Sequence, residues 1–255
     1  MKQVEDFKNI SQRVVEILEL SGSPVGVRLL SEDQKLSIGV SILKNHRYCQ
    51  AIMKARSGED VILNKEGISC PAAAAAFGFR PLPEALKSGK GLVGFGIVAD
   101  ASVGAKMFQD MSRLEIGQIE NLHIFPADKC NYKPDIIILE DEPEKLMWIA
   151  LAYLHVKGGN RIESSTAILQ ATCVDSTIIP FLEQSLNLVY GCYGCRDATD
   201  LGENEAVMGF PAKMLPAIAE HLEFLAKNAI PHSRSKKALA ALNRKKLNEK
   251  DCSTV

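Results

Sequence analysis

Cysteines carry most of the chemistry available to this sequence. Gly191-Cys192-Tyr193-Gly194-Cys195-Arg196 sets two thiols either side of a two-residue spacer, with an arginine directly after. A spacer of that length, holding a small residue, lets both sulfurs turn toward one point. They can then ligate a metal or an iron–sulfur cluster, close a disulfide, or simply pack in a turn. Arg196 would offset the negative charge of a thiolate site and is the candidate cofactor-binding side chain. A thioredoxin-type dithiol would follow a strand and open a helix. Residues 197–204 read as an acidic loop, which speaks against that reading.

A four-ligand site needs two further donors. Cys70 precedes Pro71 and a run of alanines. Proline favours the first helical position, so Cys70 is the expected N-cap. A thiol there meets the positive end of the helix dipole, which suits it as a ligand or as a nucleophile, although a small capping residue is the plainer explanation. Cys49, beside Ile52 and Met53, is the next candidate and fits core packing equally well. Cys173 ranks below both. Cys130 and Cys252 read as incidental. The histidines His46, His123, His155, His221 and His232 are scattered, without a metal-binding spacing. Phosphate-loop, dinucleotide-binding and serine-nucleophile motifs are absent. The glycine-rich stretch 89–96 reads as a turn and a close-packed strand. Glu140, Asp141 and Glu142 read as acids at a helix N-terminus rather than a catalytic dyad.

The elements that must position these thiols follow from periodicity. Residues 4–20 have helical spacing of Phe7, Ile10, Val14, Ile17 and Leu18. Apolar runs at 25–30, 61–63, 92–98, 123–126 and 135–139 suggest strands, as does the β-branched stretch 164–174. Helices are expected at 46–55, 71–77, 103–114, 143–156, 180–189 and 214–225, with an extended piece at 207–211. Alanine is the best helix former, and Gly78 supplies a C-terminal stop. The class is α/β or α+β: a mixed sheet flanked by helices. A helix, a glycine turn and a β-rich piece precede both Cys70 and Cys173, which raises two similar halves dividing near residue 130. The expected organisation is an N-terminal helix (1–22), one α/β domain (23–228) and a basic helical or disordered tail (229–255). Residues 231–250 of that tail hold seven Lys or Arg and one acid.

The chain has 255 residues, 46% of them hydrophobic, and a net charge of −1. Such a chain buries a sizeable core unaided. Near-zero charge gives no reason to expect nucleic acid or a charged membrane surface as partner. No apolar run approaches the roughly 18 residues of a membrane span, and the first residues lack a signal-peptide core. A cytoplasmic protein is expected. Seven cysteines, an odd number, then point to free thiols, metal ligands or redox chemistry.

Three segments together resemble a known family. Tyr48-Cys49-Gln50-Ala51, the Cys70-Pro71-Ala72-Ala73 helix start with Gly78, and Gly191-Cys192-Tyr193-Gly194-Cys195-Arg196 are similar to the pattern of the domain of unknown function 169 family. Its members are cysteine-containing proteins of archaea and anaerobic bacteria without an established activity. The resemblance runs from about Pro24 to Leu225 and leaves out the basic tail. It implies that Cys49, Cys70, Cys192 and Cys195 belong to one site, and an anaerobic setting favours a [4Fe–4S] cluster over zinc. The leading expectation is an iron–sulfur protein in electron transfer or a redox reaction, acting with a redox partner protein or a small-molecule substrate. Two alternatives stay open: a small-ligand-binding module with zinc or structural cysteines, and an enzyme using Cys70 as nucleophile.

Overall fold

A computed structural model describes residues 6–34 and 39–232. Positions 1–5 of the expected N-terminal helix and positions 233–255 of the expected basic tail lie outside the described residues. In chain order the elements are α1 (Phe7–Leu18), β1 (Val25–Leu30), β2 (Ser41–Ile42), α2 (Tyr48–Arg56), β3 (Val61–Asn64) and α3 (Pro71–Ala76). Three short helices follow, α4 (Glu84–Lys87), α5 (Lys90–Gly94) and α6 (Ala101–Gln109), then β4 (Asn121–Pro126), β5 (Ile136–Asp141) and α7 (Pro143–Val156). A π-helix (Ala171–Ile178) runs into α8 (Ile179–Glu183), and β6 (Asn187–Val189), α9 (Tyr193–Ala198), β7 (Ala206–Pro211) and α10 (Leu215–Lys227) complete the fold.

The fold is α/β. One seven-stranded sheet has the order β2-β3-β4-β1-β5-β7-β6. Among the described residues only the β2–β3 strand pair is parallel; the other strand pairs are antiparallel. β1 sits between β4 and β5, so the sheet is continuous across residue 130. Among the described residues no helix is long and apolar enough to cross a membrane.

Strand alternation divides the core into two layers. Val27, Val61, Leu122, Ile136, Ile138 and Val207 pack on one face, against α2, α3, the short helices, the π-helix and α9. Ile137, Leu139, Met208 and Phe210 pack on the other, against α1, α7 and α10. The second face is built as its sequence suggests. α1 buries Ile10, Val14 and Leu18 at helical spacing. α7 starts on Pro143 and buries Leu146, Ile149, Ala152 and Tyr153.

The cysteine face departs from expectation in three places. Residues 90–94 form a helix rather than a strand, because Gly89 takes the left-handed φ of 74° that lets the chain turn into it. Residues 164–170 are irregular, and Cys173 lies in a π-helix, not a strand. That segment buries Thr172, Asp175, Ser176 and Thr177, polar groups that outweigh the local β preference of its side chains. The helix expected over 180–189 stops at Glu183, and the chain re-enters the sheet as β6.

Candidate functional site

Five cysteines from four separate segments line one cavity of about 50 Å³: Cys49, Cys70, Cys173, Cys192 and Cys195. The cavity is enclosed by α2, α3, the π-helix and α9. The tertiary structure thus brings together the four cysteines expected from sequence, and adds Cys173.

Each thiol is placed by a local device. α2 opens with the Gln50 side chain accepting from the Arg47 backbone N–H at 2.9 Å, which sets Cys49 in the first turn. Arg47 then donates to the Gly194 carbonyl at 3.2 Å, and the Gln50 amide donates to the Ala198 carbonyl at 3.2 Å. These two bonds tie α2 to α9. Cys70 is the N-cap of α3, as its proline predicts, but its side chain makes no capping hydrogen bond. Just beyond α3, a Cβ on Gly78 would stand 2.1 Å from the Glu115 carbonyl oxygen, so glycine is required for the chain to pass there.

The Cys192–Cys195 motif reads differently in three dimensions than in sequence. β6 precedes it, and Cys192 is the N-cap of α9, its sulfur accepting the Cys195 backbone N–H at 3.3 Å. The acidic-loop expectation for 197–204 is corrected at its start, since residues 197 and 198 end a helix. The motif therefore does follow a strand and open a helix, the context that a dithiol centre requires. The flanks hid this because α9 is only six residues long and lacks an apolar period.

Cys195 is the electrostatic centre of the cluster. Its sulfur is 2.9 Å from Cys192 Sγ and 3.2 Å from Thr172 Oγ1. Hydrogen bonds from Cys192 and Cys49, with Thr172 assisting against the effect of burial, hold it well below the usual thiol range. Cys192 and Cys49 are pushed up in turn, first because each shares its proton with Cys195 and then by burial. Burial, with Cys195 opposing a second charge in the same layer, raises Cys173 as well. Ionisation is thus favoured at Cys195 and opposed at its neighbours.

The π-helix supplies the floor. Its first residue stands next to Cys192 and its second next to Cys195, so the backbone N–H groups of Ala171 and Thr172 favour the thiolate forms. Inside it, Thr177 Oγ1 donates to the Thr172 carbonyl at 2.7 Å and lies 2.9 Å from the Tyr48 hydroxyl. π-Helical turns recur at functional sites, and this one puts Thr172 and Cys173 on the cavity together. A Cβ on Gly209 in β7 would be 1.8 Å from the Ser176 carbonyl oxygen, so the π-helix lies directly on the sheet.

Arg196 lies beside the motif but outside the cysteine cavity. Its guanidinium donates to the carbonyls of Gly202, Tyr190 and Glu205, and it lines an open cleft rather than the cysteine cavity. It pins the chain around α9. The arginine that borders the cysteines is Arg47. The acids at 140–142 also divide their roles. Asp141 accepts from the backbone N–H groups of Ser21 and Glu142, both at 2.8 Å. Glu140 points to the opposite face, into the cysteine layer, and is buried.

Thiols suit a soft metal or an iron–sulfur cluster by donor chemistry. Their spacing is tighter than a preformed metal site requires. Thiolates bound at about 2.3 Å around a tetrahedral metal stand roughly 3.8 Å apart, whereas Cys192 and Cys195 are 2.9 Å apart. Among the described residues no group of three or more His, Cys, Asp or Glu is arranged to hold a metal ion.

Cys173, ranked below the other four from sequence, lines the same cavity, as do Thr172 and Arg47, which the sequence did not single out. The adjacency of Thr172 to Cys173 was a usable signal, obscured by reading the segment as a strand. Nothing local marks Arg47 or Glu140.

No solved structure matches the chain. It is 26% identical over 223 residues to the uncharacterized protein MJ0308 of Methanocaldococcus jannaschii, covering 86% of this chain and 95% of that protein. Residues 13–221 match the domain of unknown function 169 family, described as uncharacterised ArCR. The chain belongs to that family.

Proposed function

We propose that this chain is a cytoplasmic redox protein whose working centre is the buried cysteine cluster, acting by thiol–disulfide chemistry at Cys192 and Cys195. The observation that carries the reading is the Cys192–Cys195 contact of 2.9 Å at a helix N-terminus behind a strand. A thiolate is the nucleophile in such exchange. Cys195 is the thiol whose ionisation is favoured, by Cys192, Cys49 and Thr172 in that order. With Cys195 ionised and Cys192 protonated, oxidation of the pair breaks the Cys192 S–H bond and forms one S–S bond. Two electrons and one proton pass to a disulfide-bearing partner protein or small molecule, which takes a second proton from solvent and leaves as a dithiol.

The test is a redox titration of metal-free protein in thiol–disulfide buffers, with the state of each cysteine read by alkylation and peptide mapping. The expected result is one two-electron transition assigned to Cys192 and Cys195, lost in Cys195→Ser. Absence of a Cys192–Cys195 disulfide at every potential would sink the reading.

A second reading is favoured by the convergence of five thiols from four segments, more than a dithiol needs. Here Cys49, Cys70, Cys192 and Cys195 hold a [4Fe–4S] cluster, with zinc as the alternative metal. Such a cluster would supply one-electron transfer. The protein's part would be the thiolates, the N–H groups of Ala171 and Thr172, and exclusion of water. Anaerobic purification should then give brown protein with iron and sulfide in equal amounts, reduced in Cys195→Ala. Colourless, iron-free protein after anaerobic reconstitution would exclude it.

A further inference from the structure

A cleft of about 730 Å³ opens beside α9, outside the cysteine cavity. Three large side chains of its lining are left well exposed: Tyr190, Tyr193 and Ile168, at 77%, 59% and 46%. Arg196 and Glu205 line the cleft too, but their charges are engaged. Arg196 binds three backbone carbonyls, and Glu205 pairs with Arg56. What the cleft offers a visitor is therefore mainly aromatic and aliphatic surface.

Cleft and cavity share a wall. Ile168 lines the cleft, while the next two residues, Leu169 and Gln170, line the cavity. Among the described residues Cys192 alone lines both. Ile168 has a left-handed φ of 58°, an uncommon backbone state for a β-branched residue. Thr166 Oγ1 holds it there, accepting the Ile168 N–H at 3.0 Å and donating to Asp175 of the π-helix at 2.6 Å. Backbone strain of this kind persists where the surroundings impose it and gathers at binding sites. Here it accompanies an apolar side chain displayed in the cleft.

We propose that this cleft is the substrate site of the thiol centre: Tyr190, Tyr193 and Ile168 hold the aromatic or apolar body of a small disulfide, whose sulfur meets Cys192 first. The inference rests on reading Cys192 and Cys195 as a redox pair. The cleft volume falls in the range of small-molecule sites. Cys192 is only 3% exposed, so a disulfide must enter the cleft to reach it, which the surface of a folded protein cannot do. Exposed tyrosine rings stack on an aromatic ligand. Cys192 then attacks one sulfur of the bound disulfide and passes its proton to Cys195 Sγ, 2.9 Å away. The ligand S–S bond breaks, a mixed disulfide forms at Cys192, and the departing sulfur takes a proton from solvent. Cys195 displaces the second ligand sulfur, gives it the proton, and closes the Cys192–Cys195 bond.

The experiment uses reduced, metal-free, full-length protein and two probes: dithiodipyridine, a neutral aromatic disulfide, and hydroxyethyl disulfide, which lacks a ring. In wild type the rate with dithiodipyridine should saturate. In Cys195→Ser, which traps the first adduct, peptide mapping should find it on Cys192. Tyr193→Ala and Tyr190→Ala truncate exposed side chains and leave the core intact. Each should lower the ratio of aromatic to aliphatic reaction rates, by up to about tenfold where a stacked ring is lost. Tyr193→Phe keeps the ring and should keep the ratio above that of Tyr193→Ala. Ile168→Asn suits the left-handed backbone, removes the apolar group and should lower the ratio as well. An adduct on Cys70, the half-buried thiol on the other cavity wall, overturns the inference. So does a ratio unchanged in all three truncations, or a protein disulfide such as insulin reacting at Cys192 as fast as dithiodipyridine. Each of these leaves the redox pair standing. Wild type that forms no Cys192–Cys195 disulfide at any potential overturns the pair and the substrate site together.

Discussion

The two faces of the sheet are built from the same strands and solve different problems. Toward α1, α7 and α10 the layer is almost wholly apolar, with Leu146, Ile149, Ile218 and Leu222 packed on Ile137, Leu139, Met208 and Phe210. Toward α2, α3, the π-helix and α9 the layer contains five thiols, a carboxyl without a hydrogen bond to one oxygen, and four buried polar residues of the π-helix. Buried polar groups of this kind cost stability unless fully paired. The apolar face holds the sheet together, and the cysteine face gives up part of that stability to hold reactive groups dry and close.

If that division is right, damage to the apolar face should lower stability and spare the thiols. Leu222→Ala removes a fully buried side chain from α10 and should cost about 3 kcal/mol, seen as an earlier midpoint in denaturant. Alkylation at Cys195 should be unchanged below that midpoint. Coupled loss of both properties would show that the faces are not independent.

Gly209→Ala attacks the junction between them. Its Cβ would meet the Ser176 carbonyl oxygen at 1.8 Å, and overpacking of this kind costs about 1–3 kcal/mol. Because the π-helix must shift, thiol reactivity should change along with stability. Loss of stability with the Cys195 profile intact would place the π-helix outside the site.

The third prediction concerns pH. Burial raises Glu140 from 4.5 to about 8 in the folded chain. The folded state therefore binds this proton more firmly than the unfolded state. That contribution is complete below pH 4.5 and is lost as pH rises toward about 8. Wild type should thus lose stability relative to Glu140→Gln across that window, measured by denaturant midpoints at several pH values. A constant difference between the two proteins would contradict it.

The smallest effect on stability is expected from Cys195→Ser. The residue is buried and the change nearly isosteric, so stability should move by about 1 kcal/mol or less. The thiolate of the cluster should nevertheless disappear from the ultraviolet spectrum. A large destabilisation would assign Cys195 to packing rather than chemistry.

Much of the frame was legible from the chain alone. α7 begins at its proline and ends at Val156 before two glycines, as periodicity and helix-end rules predict. Cys70, Pro71 and the alanines specify α3 and its cap. The apolar runs at 25–30 and 136–139 mark the central strands. These succeed because one local preference and one buried face agree. The segment 164–178 failed for the opposite reason: its Thr, Ile and Val favour a strand locally, while contacts with the sheet, Tyr48 and the cysteines hold it as a coil and a π-helix.

By itself the sequence determined the number and types of thiols, the cap that holds Cys70, the close spacing of Cys192 and Cys195, and the helices that hold the sheet on its apolar side. Those are consequences of nearest-neighbour geometry and of periods of two and 3.6 residues. Only the tertiary structure decided that α2, α3, the π-helix and α9 meet, that Cys173 joins the other four thiols, that Arg196 turns to backbone carbonyls while Arg47 borders the cavity, and that Glu140 faces the cysteines with no hydrogen bond to its Oε2. Charge, burial and proton position depend on what lies across the fold, and residues more than a hundred positions apart in the chain set them here.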